Sequence, residues 1–205
     1  MSTSARFTRK DCEIVKRESL YEGIFRLYRY HLRHRLFKGG WSDVFQREMV
    51  ERSSAAAVLP YDPELDRVIL IEQFRIGALQ RVESPWLIEI PAGLLEKGKT
   101  PEETAHQEVQ QEAGCDIVEL YPICDYLVSP GGADEQLHLY CGKVDAKQIE
   151  GIYGLEDEHE DIRVINVSFA EAMNQWQQGK IKTAPAIIAL LWLQLNRDLL
   201  QAKWK

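Results

Sequence analysis

Residues 91–115, PAGLLEKGKTPEETAHQEVQQEAGC, constrain this chain more than any other stretch, because they dictate a loop and a capped helix with its charge awkwardly placed. Thr100 is a helix N-cap, Pro101 suits the first helical position, and Glu103 completes a capping box. Gly114 supplies the left-handed stop, so the pattern predicts a helix over Pro101–Ala113. Glu102 and Glu103 then lie at the favourable end of the helix dipole, whereas Glu108 and Glu112 fall toward its negative end. Four residues apart, Glu108 and Glu112 share a face, and a like-charged pair at that spacing costs about 0.2–0.5 kcal/mol. No Lys or Arg within the helix relieves them. Two readings follow: a solvated acidic face, or a divalent cation held by oxygen ligands that reverses the local electrostatics. The preceding LIEIPAGLLEKG reads as a strand running through Pro91 and Gly93 into a loop, which can aim backbone carbonyls at the same point.

The chain has 205 residues, 45% hydrophobic and 28% charged, enough for a full core with one domain and an elaboration. It shows no apolar run long enough to span a bilayer and no signal-peptide core in MSTSARFTRKD, which implies a soluble, cytoplasmic protein. Cys12, Cys115, Cys124 and Cys141 are widely spaced without a C-x-x-C, which argues against a zinc site or disulfide framework. Charge is uneven. Residues 1–50 carry 11 Lys and Arg against 6 Asp and Glu, a net charge of +5, against −7 for the whole chain. This split suggests a basic module supplying cations to a site whose other half is acidic. An acidic protein is a poor fit to nucleic acid, whose binding is mainly electrostatic, so the N-terminal arginines read first as a solvated strand face.

YRYHLRHRLFKGGWSDVFQRE alternates on both sides of Gly39-Gly40 and predicts a β-hairpin. AAAVLPYDPELDRVILIEQFR predicts two strands around a Pro/Asp turn, the second ending at Arg75. ELYPICDYLVSPGGADEQLHLYCGKV predicts two more, joined by SPGGADE, and SFAEAMNQWQQGKI and APAIIALLWLQLNRDLLQAKW have helical spacing. Between them, residues 156–161 hold five acids and one histidine. Such a run is by default a solvated loop. Its other meaning is a second set of carboxylates serving a site, one of them as a proton acceptor for an attacking water.

Laid from Gly93, the 91–115 stretch resembles the signature of the Nudix hydrolases, G-x5-E-x7-R-E-U-x-E-E-x-G-U with U aliphatic. Glu108, Glu112, Gly114 and Cys115 fall on its second glutamate, its last glutamate, its last glycine and its last U. Lys99, Gln107 and Gln111 depart from it: the family has a glutamate and an arginine at the first two, forming a structural ion pair, and a glutamate at the third. Losing both members of a pair strands no charge. The change at Gln111 is more serious, since a glutamate there often binds metal or activates water.

The likeness extends through EIVKRESLYEGIFRL, RHRLFKGG, VILIEQFRIGAL, SPGG, GLEDEHEDIRV and IIALLWLQL, nearly the whole chain, and is to the branch of the family that hydrolyses ADP-ribose. It implies an α+β protein: a Nudix α/β/α sandwich on a mixed sheet over residues 53–205, with a small antiparallel β module over residues 1–52. It implies Mg²⁺, with Mn²⁺ as the alternative, held by the Ala92 carbonyl, Glu108, Glu112 and Glu160, with Glu158 as the base. Ile24, Phe25, Arg47, Glu48, Arg52, Arg75, Leu94, Ser129, Pro130, Gly131 and Glu135 fall on substrate positions. The family pattern is a homodimer with exchanged N-terminal modules, which would let Ile24, Phe25 and Arg47 serve the partner's site. Two alternatives stay open on the sequence: a hydrolase of another nucleoside diphosphate sugar, and a catalytically weak sensor of ADP-ribose, suggested by Lys99, Gln107 and Gln111.

Overall fold

The computed structural model describes residues 6–204, which divide into two compact units. The first contains an antiparallel sheet of β1 (Cys12–Glu22), β2 (Arg26–His34) and β3 (Phe45–Glu51), in that order. The hairpin expected around Gly39-Gly40 is β2 and β3, with Arg29 opposite Glu48 and Arg26 opposite Glu51. These registers explain the local charge. Glu51 accepts from Arg17 at 2.7 Å and from Arg26 at 3.0 Å, Glu48 pairs with Arg29 at 2.7 Å, and Glu13 with Arg33 at 2.6 Å. Arg17, Arg26, Arg29 and Arg33 are therefore paired with cross-strand carboxylates rather than left free.

The first unit draws on two separate stretches of the chain. Leu127–Gln136, which carries SPGG, groups with Met1–Ser53, while Ser54–Tyr126 and Leu137–Lys205 make the second unit. Backbone hydrogen bonds account for this: Val50 N–H donates to the Gly132 carbonyl at 2.8 Å, and Arg52 N–H to Asp134 Oδ1 at 2.8 Å.

The second unit holds β4 (Ala55–Asp62), β5 (Arg67–Phe74), β6 (Trp86–Glu89), β7 (Ala92–Leu94), α1 (Pro101–Ala113), β8 (Glu119–Leu127), β9 (Gln136–Lys143), β10 (Ile152–Tyr153), β11 (Ile162–Ser168), α2 (Phe169–Gln177) and α3 (Ala184–Lys203). The sheet runs β10-β11-β5-β4-β9-β8, with β6 paired to β5 and β7 to β4. It is mixed, because β4 and β9 are parallel while β4 is antiparallel to β5 and β7. β4 is buried along its whole length. Its alternate residues feed two cores: Ala57, Leu59 and Tyr61 face the layer of α2 and α3, and Ala56 and Val58 face α1 through Ala105, Val109 and Ala113. A strand buried on both faces reads as a continuous apolar run, as AAAVLPY does. The result is an α/β/α sandwich. No helix among the described residues is long and apolar enough to cross a membrane.

Helix α1 begins and ends where the sequence places it. Thr100 accepts from Glu103 N–H at 3.2 Å and Glu103 from Thr100 N–H at 2.8 Å, closing the capping box. Gly114 ends it at φ 63°, where an added Cβ would lie 2.2 Å from the Tyr153 ring. Both the dihedral and the packing require glycine there.

Candidate active site

Glu112 projects from the buried side of α1 and is only 2% exposed. Its Oε2 accepts from Ala92 N–H at 2.8 Å, and Gln73 Nε2 lies 3.5 Å from Oε1. β7 therefore meets this carboxylate through a backbone donor. One turn earlier, the Glu108 carboxylate rests against Gly93, where an added Cβ would fall 2.2 Å from Oε1. This is why the loop has glycine at 93: the absent side chain makes room for the acid.

Burial pushes the Glu112 carboxyl up to about 8, with Glu108 and Glu160 adding repulsion. Glu108 is pushed up to about 7, first by burial and then by Glu160 and Glu158. The acidic run thus reaches α1 electrostatically. Its first residues form a short turn over Glu156–Glu158, followed by His159 in the left-handed region at φ 57°. Glu158 is exposed; Glu160 is partly buried and accepts from Leu155 N–H at 3.1 Å. Gly154, at φ 107°, lets the chain pass Glu160, whose Cβ would be 2.6 Å from an added Cβ.

Among the described residues, no three His, Cys, Asp or Glu side chains converge on one point. Glu112 and Glu160 each give an oxygen to a backbone N–H instead. The donor chemistry nonetheless fits a hard divalent cation: the groups are carboxylate oxygens, two of them driven toward the protonated state by burial and mutual repulsion, and a dication relieves that strain.

Where the chain departs from the Nudix signature, a hydrogen-bonded chain takes over. Lys99 donates to Gln107 Oε1 and to Glu96 Oε1 at 2.9 Å, and Gln107 Nε2 donates to Gln111 Oε1 at 3.2 Å. Positions 99 and 107 still tie the loop to the helix, by an ammonium and an amide. Glu96, absent from the sequence reading, is the carboxylate of this link.

The positions matched to substrate residues fall in both units. In the second, Arg75 Nε donates to Glu89 at 2.7 Å, and Leu94 is exposed on β7 opposite Ala55. In the first, Arg52 pairs with Glu135 at 3.0 Å and lies 4.7 Å from the Phe25 ring centroid, so three sequence-distant candidates form one group. Ile24 beside them is 96% exposed. Arg47 stacks on Phe45 at 4.8 Å and donates to the Gln46 carbonyl, and Glu48 is spent on Arg29. The Ser129 carbonyl accepts from Gly132 and Ala133 N–H at 3.0 and 2.9 Å, a tight turn that leaves Pro130 and Gly131 exposed. Sequence reasoning passed over Gln73 and Asp134. Gln73 was visible as a buried polar residue in the apolar run VILIEQF; Asp134 pairs only through tertiary structure.

A mixed sheet between helical layers, with a glycine loop delivering carboxylates from the following helix, defines the Nudix class of fold. A NUDIX domain model matches residues 51–187, and the chain belongs to that family. It is 46% identical over 198 residues to an ADP-ribose pyrophosphatase of Escherichia coli K12, covering 97% of this chain and 95% of that protein. Against an ADP-ribose pyrophosphatase of Haemophilus influenzae the identity is 45% over 208 residues, covering 100% and 96%. A crystal structure of an ADP compounds hydrolase superposes with a TM-score of 0.70 at 20% identity, covering 94% of this chain and 96% of that one, which supports the shared fold.

Proposed function

We propose that this chain hydrolyses the diphosphate bond of ADP-ribose to AMP and ribose 5-phosphate, with Mg²⁺ or alternatively Mn²⁺. The observation that carries the reading is the pair of Glu112, buried, and Glu108, partly buried, packed at a glycine loop and raised toward neutrality first by burial and then by neighbouring acids, in a chain related over nearly its whole length to ADP-ribose pyrophosphatases. Glu108, Glu112, Glu160 and the Ala92 carbonyl would hold the cation. When bound, it neutralises the diphosphate and lowers the pKa of water.

Glu158 is the base in this reading. It is exposed, and among the described residues no hydrogen bond or ion pair of its side chain competes for a proton donor. Water losing a proton to Glu158 attacks one phosphorus, and the anhydride oxygen leaves with the other phosphate. Arg75 supplies positive charge toward the diphosphate, and Arg52, Phe25 and Glu135 offer a cation, a ring face and a hydroxyl acceptor suited to a nucleotide sugar. Two copies assemble through exchanged N-terminal modules.

Metal-dependent turnover of a panel of nucleotide sugars tests the substrate, and one variant tests the base. Glu158→Gln removes a proton acceptor without removing a ligand, so kcat should fall by roughly 10²–10⁴-fold with apparent metal affinity little changed. Near-full turnover in this variant would move the base elsewhere.

A further inference from the structure

We infer that Gln111 donates a hydrogen bond to the substrate's diphosphate, and that Lys99 fixes it in that role; the inference rests on the diphosphate-hydrolase reading above. The polarity of the Lys99–Gln107–Gln111 chain is dictated by chemistry. An ammonium has three donors and no acceptor, so the Gln107 atom facing Lys99 is its carbonyl Oε1. Its Nε2 must then face acceptors, and it does: Gln111 Oε1 at 3.2 Å and Glu96 Oε1 at 3.4 Å. Glu96 is a carboxylate paired with Lys99, able only to accept, and it fixes Gln107 the same way round.

Gln111 consequently turns its carbonyl back toward Gln107 and presents two N–H donors at Nε2. No hydrogen bond from that Nε2 is made to any described residue, and its acceptor oxygen is committed to Gln107. The residue follows Glu108 by three positions on α1, so the two side chains are neighbours. Its backbone carbonyl accepts from Gly154 N–H at 3.2 Å, which pins it beside the neck of the acidic turn. A donor at this place meets an anion, and it does so while leaving out one negative charge from a site that a diphosphate has to enter. Hydrogen bonds to charged acceptors are the stronger kind.

Calorimetric titration of the full chain, with Mg²⁺ and a methylene-bridged ADP-ribose that cannot be hydrolysed, tests this. Gln111→Ala keeps a helix-favouring residue and should weaken binding about 10-fold or more in a chain that stays folded, any fall in Tm being limited to the loss of the one hydrogen bond from Gln107. Gln111→Glu should also weaken it at saturating Mg²⁺. Lys99→Met should weaken it in the native background and leave it unchanged in Gln111→Ala, because Lys99 acts only through the amide. Binding by Gln111→Ala within two-fold of native, or tighter binding by Gln111→Glu, overturns the assignment of Gln111. An equal loss from Lys99→Met in both backgrounds overturns the part given to Lys99. Inorganic pyrophosphate with Mg²⁺ is the second probe. If the native chain binds pyrophosphate and not the ADP-ribose analogue, the substrate reading fails and the Gln111→Ala value for pyrophosphate decides the donor; if it binds neither, both fail.

Discussion

A carboxylate whose folded-state pKa is raised binds its proton more tightly in the folded chain than in the unfolded one. Glu112, moved from 4.5 to about 8, therefore stabilises the metal-free protein at low pH and loses that contribution as pH rises across the interval. Glu108 acts in the same direction up to about 7. Melting of the metal-free chain should show Tm falling between pH 5 and 8, with Mg²⁺ restoring it at the upper end and Glu112→Gln flattening the slope. A Tm that rises over that range without metal would contradict the burial argument. Gly93→Ala should act through Glu108 alone: a Cβ 2.2 Å from its carboxylate must displace the acid. Metal affinity should fall at least 10-fold, measured by Mn²⁺ titration, while the far-UV spectrum of the protein stays native. At this scale the two glutamates were legible because helical spacing alone puts them on one face. What they touch was not. The Ala92 N–H, Gln73 and the partner of Arg75, Glu89, come from strands whose pairing no local pattern announces.

Among the elements, α1 was readable to the residue, since its start and stop are set by side chains within a few positions of each terminus. The strand pairs around Gly39-Gly40 and around the Pro/Asp turn were equally local. β7, β10 and β11 were not read as separate strands. β6 and β7 looked like one run because Pro91 bends the chain without an apolar break, and IRVINVS was overshadowed by the acids before it. The loop-to-helix link is the element-level surprise: positions 99 and 107 keep their mutual contact with neither family residue present. A double-mutant cycle with Lys99→Met and Gln107→Leu should give a coupling of about 0.5–1.5 kcal/mol in stability, the worth of a hydrogen bond in a partly charged network. A coupling near zero would mean that the loop is held by its backbone alone.

For the whole molecule, the sandwich and the N-terminal sheet follow from the alternation of strands and helices, whereas no local pattern announces that Leu127–Gln136 groups with the N-terminal stretch. The basic character of the N-terminal unit was legible as well, but its use was not, because four arginines are answered by carboxylates across the strands. The apolar residues left exposed on that sheet, among them Ile14, Val15 and Tyr21, suit burial by a second copy. Sedimentation equilibrium at micromolar concentration should give a dimer. A fully active monomer would remove the exchanged-module proposal.

The membership of Leu127–Gln136 in the first unit has a bearing on synthesis. The hydrogen bonds from Val50 and Arg52 to Gly132 and Asp134 close a loop containing all of Ser54–Tyr126. On the ribosome, the N-terminal sheet can pair its three strands early, from local turns. It cannot acquire the SPGG turn, or the Glu135 that meets Arg52, until Ser54–Tyr126 of the second unit has been translated. The nucleotide-facing group proposed for Phe25, Arg52 and Glu135 is thus completed late. A nascent chain arrested before residue 127 would carry the sheet without it.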